Sequence, residues 1–174
     1  AEPVVFAYNR KLVPAADVPR THADLTRLLR AKARYYRGRI ATYDPARSSA
    51  GYLFLSQDLQ VSRDTVPLMA ALGQTKVTTY PTSSEMLTRL GDGRLAFVYN
   101  MIGSYALERQ SHDANIGVVM PSDYTLIMSR IAIIPDQARH PNAAKLFLDF
   151  MLSRAGQAQL SYRYMTPVRA DVRA

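Results

Sequence analysis

The stretch GRLAFVYNMIGSYALERQ, residues 93–110, ends an apolar run at Tyr99 and Asn100, turns through Gly103, and starts a helical pattern at Ser104. A hydroxyl and an amide beside a helix start suit a polar solute, because the first N–H groups of a helix have no partner within it. Two other stretches have the same character. DPARSSAGY (44–52) places Ser48 and Ser49 at the head of a helix, and MPSDYTLIMSR (120–130) places Asp123, Tyr124 and Thr125 in a turn between strands. Each also has a local reading: the serines cap their helix, Tyr99 closes the core with its hydroxyl in water, and Asp123 bonds its own backbone. Convergence of all three loops on one place is what would make a site.

Catalytic patterns are missing. The sequence has no GxSxG elbow, no GxxxxGK[ST] phosphate loop and no GxGxxG. With zero cysteines there is no thiolate nucleophile and no thiolate metal site. His22, His112 and His140 fall near helix ends or loops without HxxxH or HxH spacing, which reads as solvated or capping histidines. Glu108 and Asp113 have a surface context. No catalysis, cofactor or resident metal is therefore expected.

At 174 residues, 48% hydrophobic and 21% charged, the chain has room for a sizeable core. No apolar run approaches the roughly 18 residues of a bilayer span. Lys and Arg number 22 against 14 Asp and Glu, a net charge of +8, which favours an anionic partner. The densest basic run, RAKARYYRGR at 30–39, reads as a solvated connection rather than a nucleic-acid patch.

The elements that must position these residues alternate. Strands are expected at 3–9, 38–44, 76–80, 94–99 and 115–121. Helices are expected after Thr21, from Ser48 to Gln60, after a Ser62 cap up to Gly73, after Thr82 with Glu85 in capping-box spacing, and over GSYALERQ. This alternation predicts an α/β protein with parallel sheet order. Further on, 124–135 reads as an extended strand, or two joined by a bend at Ser129-Arg130. Ala144, Phe147, Leu148 and Met151 mark a core-facing helix with Pro141 at its start, and a shorter helix follows.

In order and spacing, VVFAYNRKLVPAADVPRTHADL, GRIATYDPARSSAG, SSEMLTRLGDGRLAFVYNMIGSYAL, SDYTLIMSRIAIIPDQARHPNAAKLFLDFMLSRAGQAQL and the closing TPVR resemble type 2 periplasmic solute-binding proteins of ABC importers. Within that class the likeness is to the branch that binds ferric iron and phosphorylated organic anions. The resemblance implies the periplasmic-binding-protein type 2 fold, a two-lobed clamp, here as one complete lobe (10–121) plus hinge crossings and the C-terminal part of lobe 1 (1–9 and 122–174). It also implies that the N-terminal part of lobe 1 is missing, so that exposed lobe 1 elements favour self-association into a homo-oligomer.

The resemblance further implies a periplasmic, non-catalytic carrier whose cleft is lined by Tyr8, Ser48, Ser49, Tyr99, Asn100, Ser104, Asp123, Tyr124 and Thr125. A small anionic solute, organic or phosphorylated, suits hydroxyls, helix starts and the arginine excess. Ferric iron suits them less. Its relatives use paired tyrosinates, whereas Tyr99 and Tyr105 are six apart and the adjacent Tyr35-Tyr36 lies in another loop. The implied partner is an ABC permease or, if the same fold serves as a sensory or regulatory module, a sensor kinase; no nucleic acid is expected.

Overall fold

A computed structural model describes residues 1–173. It divides into two compact units, one of residues 3–126 and one of residues 1–2 with 127–174, so the chain passes between them at 2/3 and at 126/127. No described helix is long and apolar enough to cross a membrane.

The 3–126 unit contains almost all of β1 (Glu2–Asn9), then a 3-10 turn (Ala15–Asp17), α1 (His22–Ala31), α2 (Ala33–Tyr36), β2 (Ile40–Tyr43), α3 (Ser49–Val61) and α4 (Thr65–Gln74). It continues through β3 (Thr78–Tyr80), α5 (Ser83–Gly91), β4 (Phe97–Ile102), α6 (Gly103–His112) and β5 (Ile116–Val119). These five strands lie in the order β3-β2-β4-β1-β5.

β2 runs parallel to β3 and β4, as the alternation predicts. β1 does not: it lies antiparallel between β4 and β5. Alternation establishes that helices join successive strands, but it leaves open which strands become neighbours, and β1 inserts between two that share a direction.

Local signals account for most helix starts. Thr21 accepts from Asp24 N at 2.9 Å, Thr82 from Glu85 N at 3.5 Å, and Ser48 from Gly51 N at 3.3 Å. Ser62 is not the cap of α4; its hydroxyl accepts from Asp64 N at 3.2 Å, the helix begins at Thr65, and it runs past Gly73 to Gln74. Pro67 is tolerated there because an N–H in the first turn has no helical acceptor. The core joins Phe6 of β1, Leu25 and Leu29 of α1, Leu68 and Leu72 of α4, Ile40 of β2, and Phe97 and Tyr99 of β4. All six residues of β4 are buried, consistent with a strand covered on both faces.

The other unit holds β6 (Ile127–Met128), α7 (Pro141–Leu152) and α8 (Arg154–Ser161). Arg130 Nη2 donates to the buried Glu2 carboxylate at 3.1 Å, and Thr166 N donates to the Ala1 carbonyl at 2.8 Å, so the first two residues are held by Arg130 and Thr166. Two expectations are corrected here. The strand expected over 124–135 shrinks to two residues, with Ile131 84% exposed and Ile133 79% exposed. A strand persists only where another backbone takes its hydrogen bonds. The helix begins with Pro141 as expected, yet no side chain of α7 is buried and Phe147 is 61% exposed. Periodicity marked its apolar side correctly, but α8 beside it leaves that side uncovered.

Gly103 decides how the 93–110 stretch meets the sheet. A Cβ there would lie 2.6 Å from the Pro3 carbonyl oxygen and 2.8 Å from its ring, so only glycine lets α6 start against β1. Gly103→Ala is expected to destabilise the chain by about 1–3 kcal/mol, the range for overpacking a tight site, as read from urea unfolding. An unchanged midpoint would contradict this packing.

Candidate solute-binding edge and its buried carboxylate

Because β2, β3 and β4 are parallel, their carboxyl ends share one edge of the sheet. Three helices start directly after them: α3 after Ser48, α5 after Thr82 and α6 after Ile102. β1, being antiparallel, begins at this edge, with Val4 opposite Ile102 and its N–H donating to the Leu126 carbonyl at 2.8 Å. Ser49 is exposed here and Ser48 half-buried, Ser104 is buried, and Ser83 Oγ lies 2.6 Å from the Tyr43 hydroxyl. Thr125 is half-buried, and its hydroxyl donates to the Pro121 carbonyl at 2.7 Å. Ligands gather at such an edge because several helix N-termini point their free N–H groups at it.

Behind the edge lies a carboxylate that sequence reasoning missed. Asp58 of α3 is fully buried and accepts from the Tyr99 hydroxyl at 2.7 Å, the Asn100 amide at 2.5 Å and the Tyr124 hydroxyl at 3.0 Å. Thr65 Oγ1 donates to its backbone carbonyl at 2.7 Å, fastening α3 to the start of α4. A signal was present: Gly51, Phe54 and Asp58, spaced i, i+3, i+7, form one helix face, and all three are buried.

Two adjacent strand residues should point to opposite faces of a sheet. Tyr99 and Asn100 nevertheless bond the same oxygen, Asp58 Oδ2. The backbone explains it. Between the Val5–Met101 and Ala7–Val98 pairs, β4 advances three residues while β1 advances two, which is a bulge, and Asn100 adopts φ +57°. Asparagine tolerates this left-handed region better than any branched residue.

Tyr99 is thus not a lid with its hydroxyl in water: it is 2% exposed and its O–H is spent on Asp58. Burial first, then the Asp58 charge, raises the pKa of Tyr99 well above the ordinary phenol range, and the same two causes raise that of Tyr124. Both remain phenols that donate to the carboxylate. Tyr36 is also buried and donates to Asp17 at 2.8 Å, while Tyr35 and Tyr105 are exposed. Among the described residues, no three His, Cys, Asp or Glu side chains gather as a metal site.

His22, expected in solvent or as a simple cap, is 4% exposed. Its backbone N–H donates to Asp123 Oδ2 at 2.9 Å, and its ring Nδ1 lies 3.0 Å from Asp123 Oδ1. Tyr124 stacks on its ring with centroids 4.0 Å apart and an angle of 1°. Asp123 therefore caps α1, where a negative charge also meets the positive end of the helix dipole. Burial pushes the Asp123 pKa upward, but the bonds from the His22 ring and backbone outweigh it and hold the carboxyl below its usual value. Ser122 adds a 2.8 Å bond from its N–H to the Arg20 carbonyl, so 122–124 is tied down residue by residue.

The structure brings Tyr99, Asn100, Asp123 and Tyr124 into one connected group and sets Ser48, Ser49 and Ser104 at the starts of helices on the shared edge. Tyr8 stands apart. It pairs with Phe97 and Gly117 at the opposite end of the sheet, its ring covering Gly117.

The whole chain, residues 1–174, matches the family described as bacterial extracellular solute-binding protein, and it belongs to that family. Among solved structures it is similar to the substrate-binding protein of an ABC transporter from Agrobacterium tumefaciens, with 36% identity and a TM-score of 0.94 over 99% of this chain and 52% of that one. Iron-bound HitA from Pseudomonas aeruginosa shares 20% identity at a TM-score of 0.69, covering 99% of this chain and 56% of its own. A periplasmic thiamin-binding protein shares 18% at 0.75, covering 99% and 53%. These last two likenesses concern the fold. The chain spans about half the length of each of these three relatives. No curated protein matches the sequence.

Two outcomes follow from the buried group. Asp58→Ala should cost about 3 kcal/mol or more, since the buried Tyr99 and Asn100 and the half-buried Tyr124 lose a charged acceptor, and a double-mutant cycle with Tyr124→Phe should give a coupling of about 0.5 kcal/mol or more. Additive losses in urea unfolding would contradict the network. For Asp123, a depressed folded pKa means stabilisation that is complete above the unfolded carboxyl value near 4 and is lost as pH falls through the lower folded value. Asp123→Asn should therefore flatten the acid side of the stability profile; an equally steep fall below about pH 4 would show that Asp123 contributes nothing to it.

Proposed function

We propose that this chain forms part of the extracytoplasmic solute-binding component of an ABC importer, binding a small anionic solute without catalysis and passing it to a membrane permease from a periplasmic position. The 3–126 unit serves as one lobe, and residues 1–2 with 127–174 belong to the other. The observation that carries the anion reading is the shared edge where α3, α5 and α6 all begin. Three helix N-termini present N–H groups and the positive ends of their dipoles, and Ser48, Ser49 and Ser104 add hydroxyl groups there.

In this reading the residues of the earlier site divide by role. Ser48, Ser49, Ser104 and Thr125 flank the solute. Tyr99, Asn100, Asp123 and Tyr124 hold the edge in place through Asp58 and His22. Tyr8 has no part in binding, because it sits at the other end of the sheet. The exposed apolar side of α7 is the surface through which copies of this chain would self-associate.

Thermal unfolding of residues 1–174 in millimolar carboxylates and sugar phosphates, against spermidine and thiamin, tests the ligand class. Anions bearing a phosphate or carboxylate are expected to raise Tm, and the raise should shrink in Ser48→Ala/Ser49→Ala. Stabilisation by the polyamine or thiamin, with none by any anion, would overturn the anionic reading.

A further inference from the structure

We propose that the end of the 3–126 unit opposite the helix-start edge is a docking surface for an anionic phospholipid bilayer. The basic run at 30–39 is joined in space by cations from elsewhere in the sequence. Arg34, Arg37 and Arg39 are exposed around α2 and the approach to β2. The Tyr35 hydroxyl donates to the Leu12 carbonyl at 3.0 Å, bringing exposed Lys11 alongside, and Gly38 N donates to the Thr75 carbonyl at 2.8 Å, bringing exposed Lys76. Ala96 N donates to the Arg39 carbonyl at 2.6 Å, which fixes this place as the amino ends of β2 and β4.

Five cations thus meet at one pole, and none of them forms an ion pair among the described residues. The carboxylates near them are already engaged: Asp17 with Lys32 at 2.6 Å, Asp92 with Arg94 at 2.5 Å, and Asp113 with Arg109 at 3.9 Å. The excess is a local field as well as a global one.

The chemistry of the patch selects its partner. A protein interface needs a buried apolar centre, and this pole offers one exposed aromatic, Tyr35, with Arg39 6.0 Å from its ring centroid, while the half-buried Tyr8 at the same end packs over Gly117 and beside Phe97. Single-stranded nucleic acid is held by a series of stacking rings along a groove, which one tyrosine does not supply. Long flexible cations around a single amphipathic ring match a diffuse anionic surface, where each Lys or Arg adds to the attraction and Tyr sits at headgroup level.

Cosedimentation of the 174-residue chain with phosphatidylglycerol-containing vesicles, and with vesicles of phosphatidylcholine alone, tests this. Binding is expected only to the anionic vesicles, to fade by about 0.5 M salt, and to fall by about tenfold or more in Arg34→Gln/Arg37→Gln/Arg39→Gln. Removing three charges elsewhere, in Arg139→Gln/Lys145→Gln/Arg154→Gln, should change it far less, with circular dichroism confirming that both variants fold. Equal binding to neutral vesicles would point to the apolar side of α7 instead and overturn the proposal. So would no binding to either vesicle, equal loss in the two variants, or stronger capture by double-stranded DNA.

Discussion

The arrangement of the 3–126 unit depends on one buried negative charge. A carboxylate in an apolar interior is tolerated only when its hydrogen bonds are complete, and Asp58 takes its donors from β4 and from the segment that leads out of the unit. The consequences spread from there. To deliver two donors from consecutive residues, β4 bulges and Asn100 turns left-handed; to deliver the third, Tyr124 lies flat on His22. His22 in turn is held by Asp123, whose carboxylate closes the start of α1. A helix, a central strand and the exit segment are thereby locked to a common point.

That lock explains the shape of the candidate site. The serines at the starts of α3 and α6 do little alone, since a hydroxyl in water gains almost nothing by meeting a solute. Their value lies in being held at one rigid edge, so that a bound anion meets several donors at once without ordering them. Gly103 contributes in the same way, by letting α6 begin against the Pro3 backbone where any side chain would push it off.

Much of this was legible in the sequence, and the gaps have physical causes. Most strand and helix positions follow from periodicity and caps, with Thr21, Ser48 and Thr82 bonding as expected, the 124–135 strand and the Ser62 cap excepted. The order of the strands did not, because neighbour choice is a property of packing rather than of local pattern. The family resemblance agrees with the whole-chain match at the level of bacterial extracellular solute-binding proteins, while the branch and the solute class rest on chemistry at the edge. Tyr99 and Asn100 stand out as polar residues in an apolar run, yet the strand does not end there but continues to Ile102, and their partner is hidden: an aspartate in a helix usually faces water, and only its spacing from Gly51 and Phe54 marks Asp58 as internal. His22 was misread likewise, since nothing local pairs it with a residue 101 positions away.

Amide hydrogen exchange on Asp58→Asn beside the unaltered chain addresses the central claim most directly. The account predicts that protection falls together in three separated stretches, residues 97–104, 121–126 and the first turn of α1, while β2 and β3 keep theirs. Loss confined to α3, with the other stretches unchanged, would contradict the view that this one carboxylate holds the edge together.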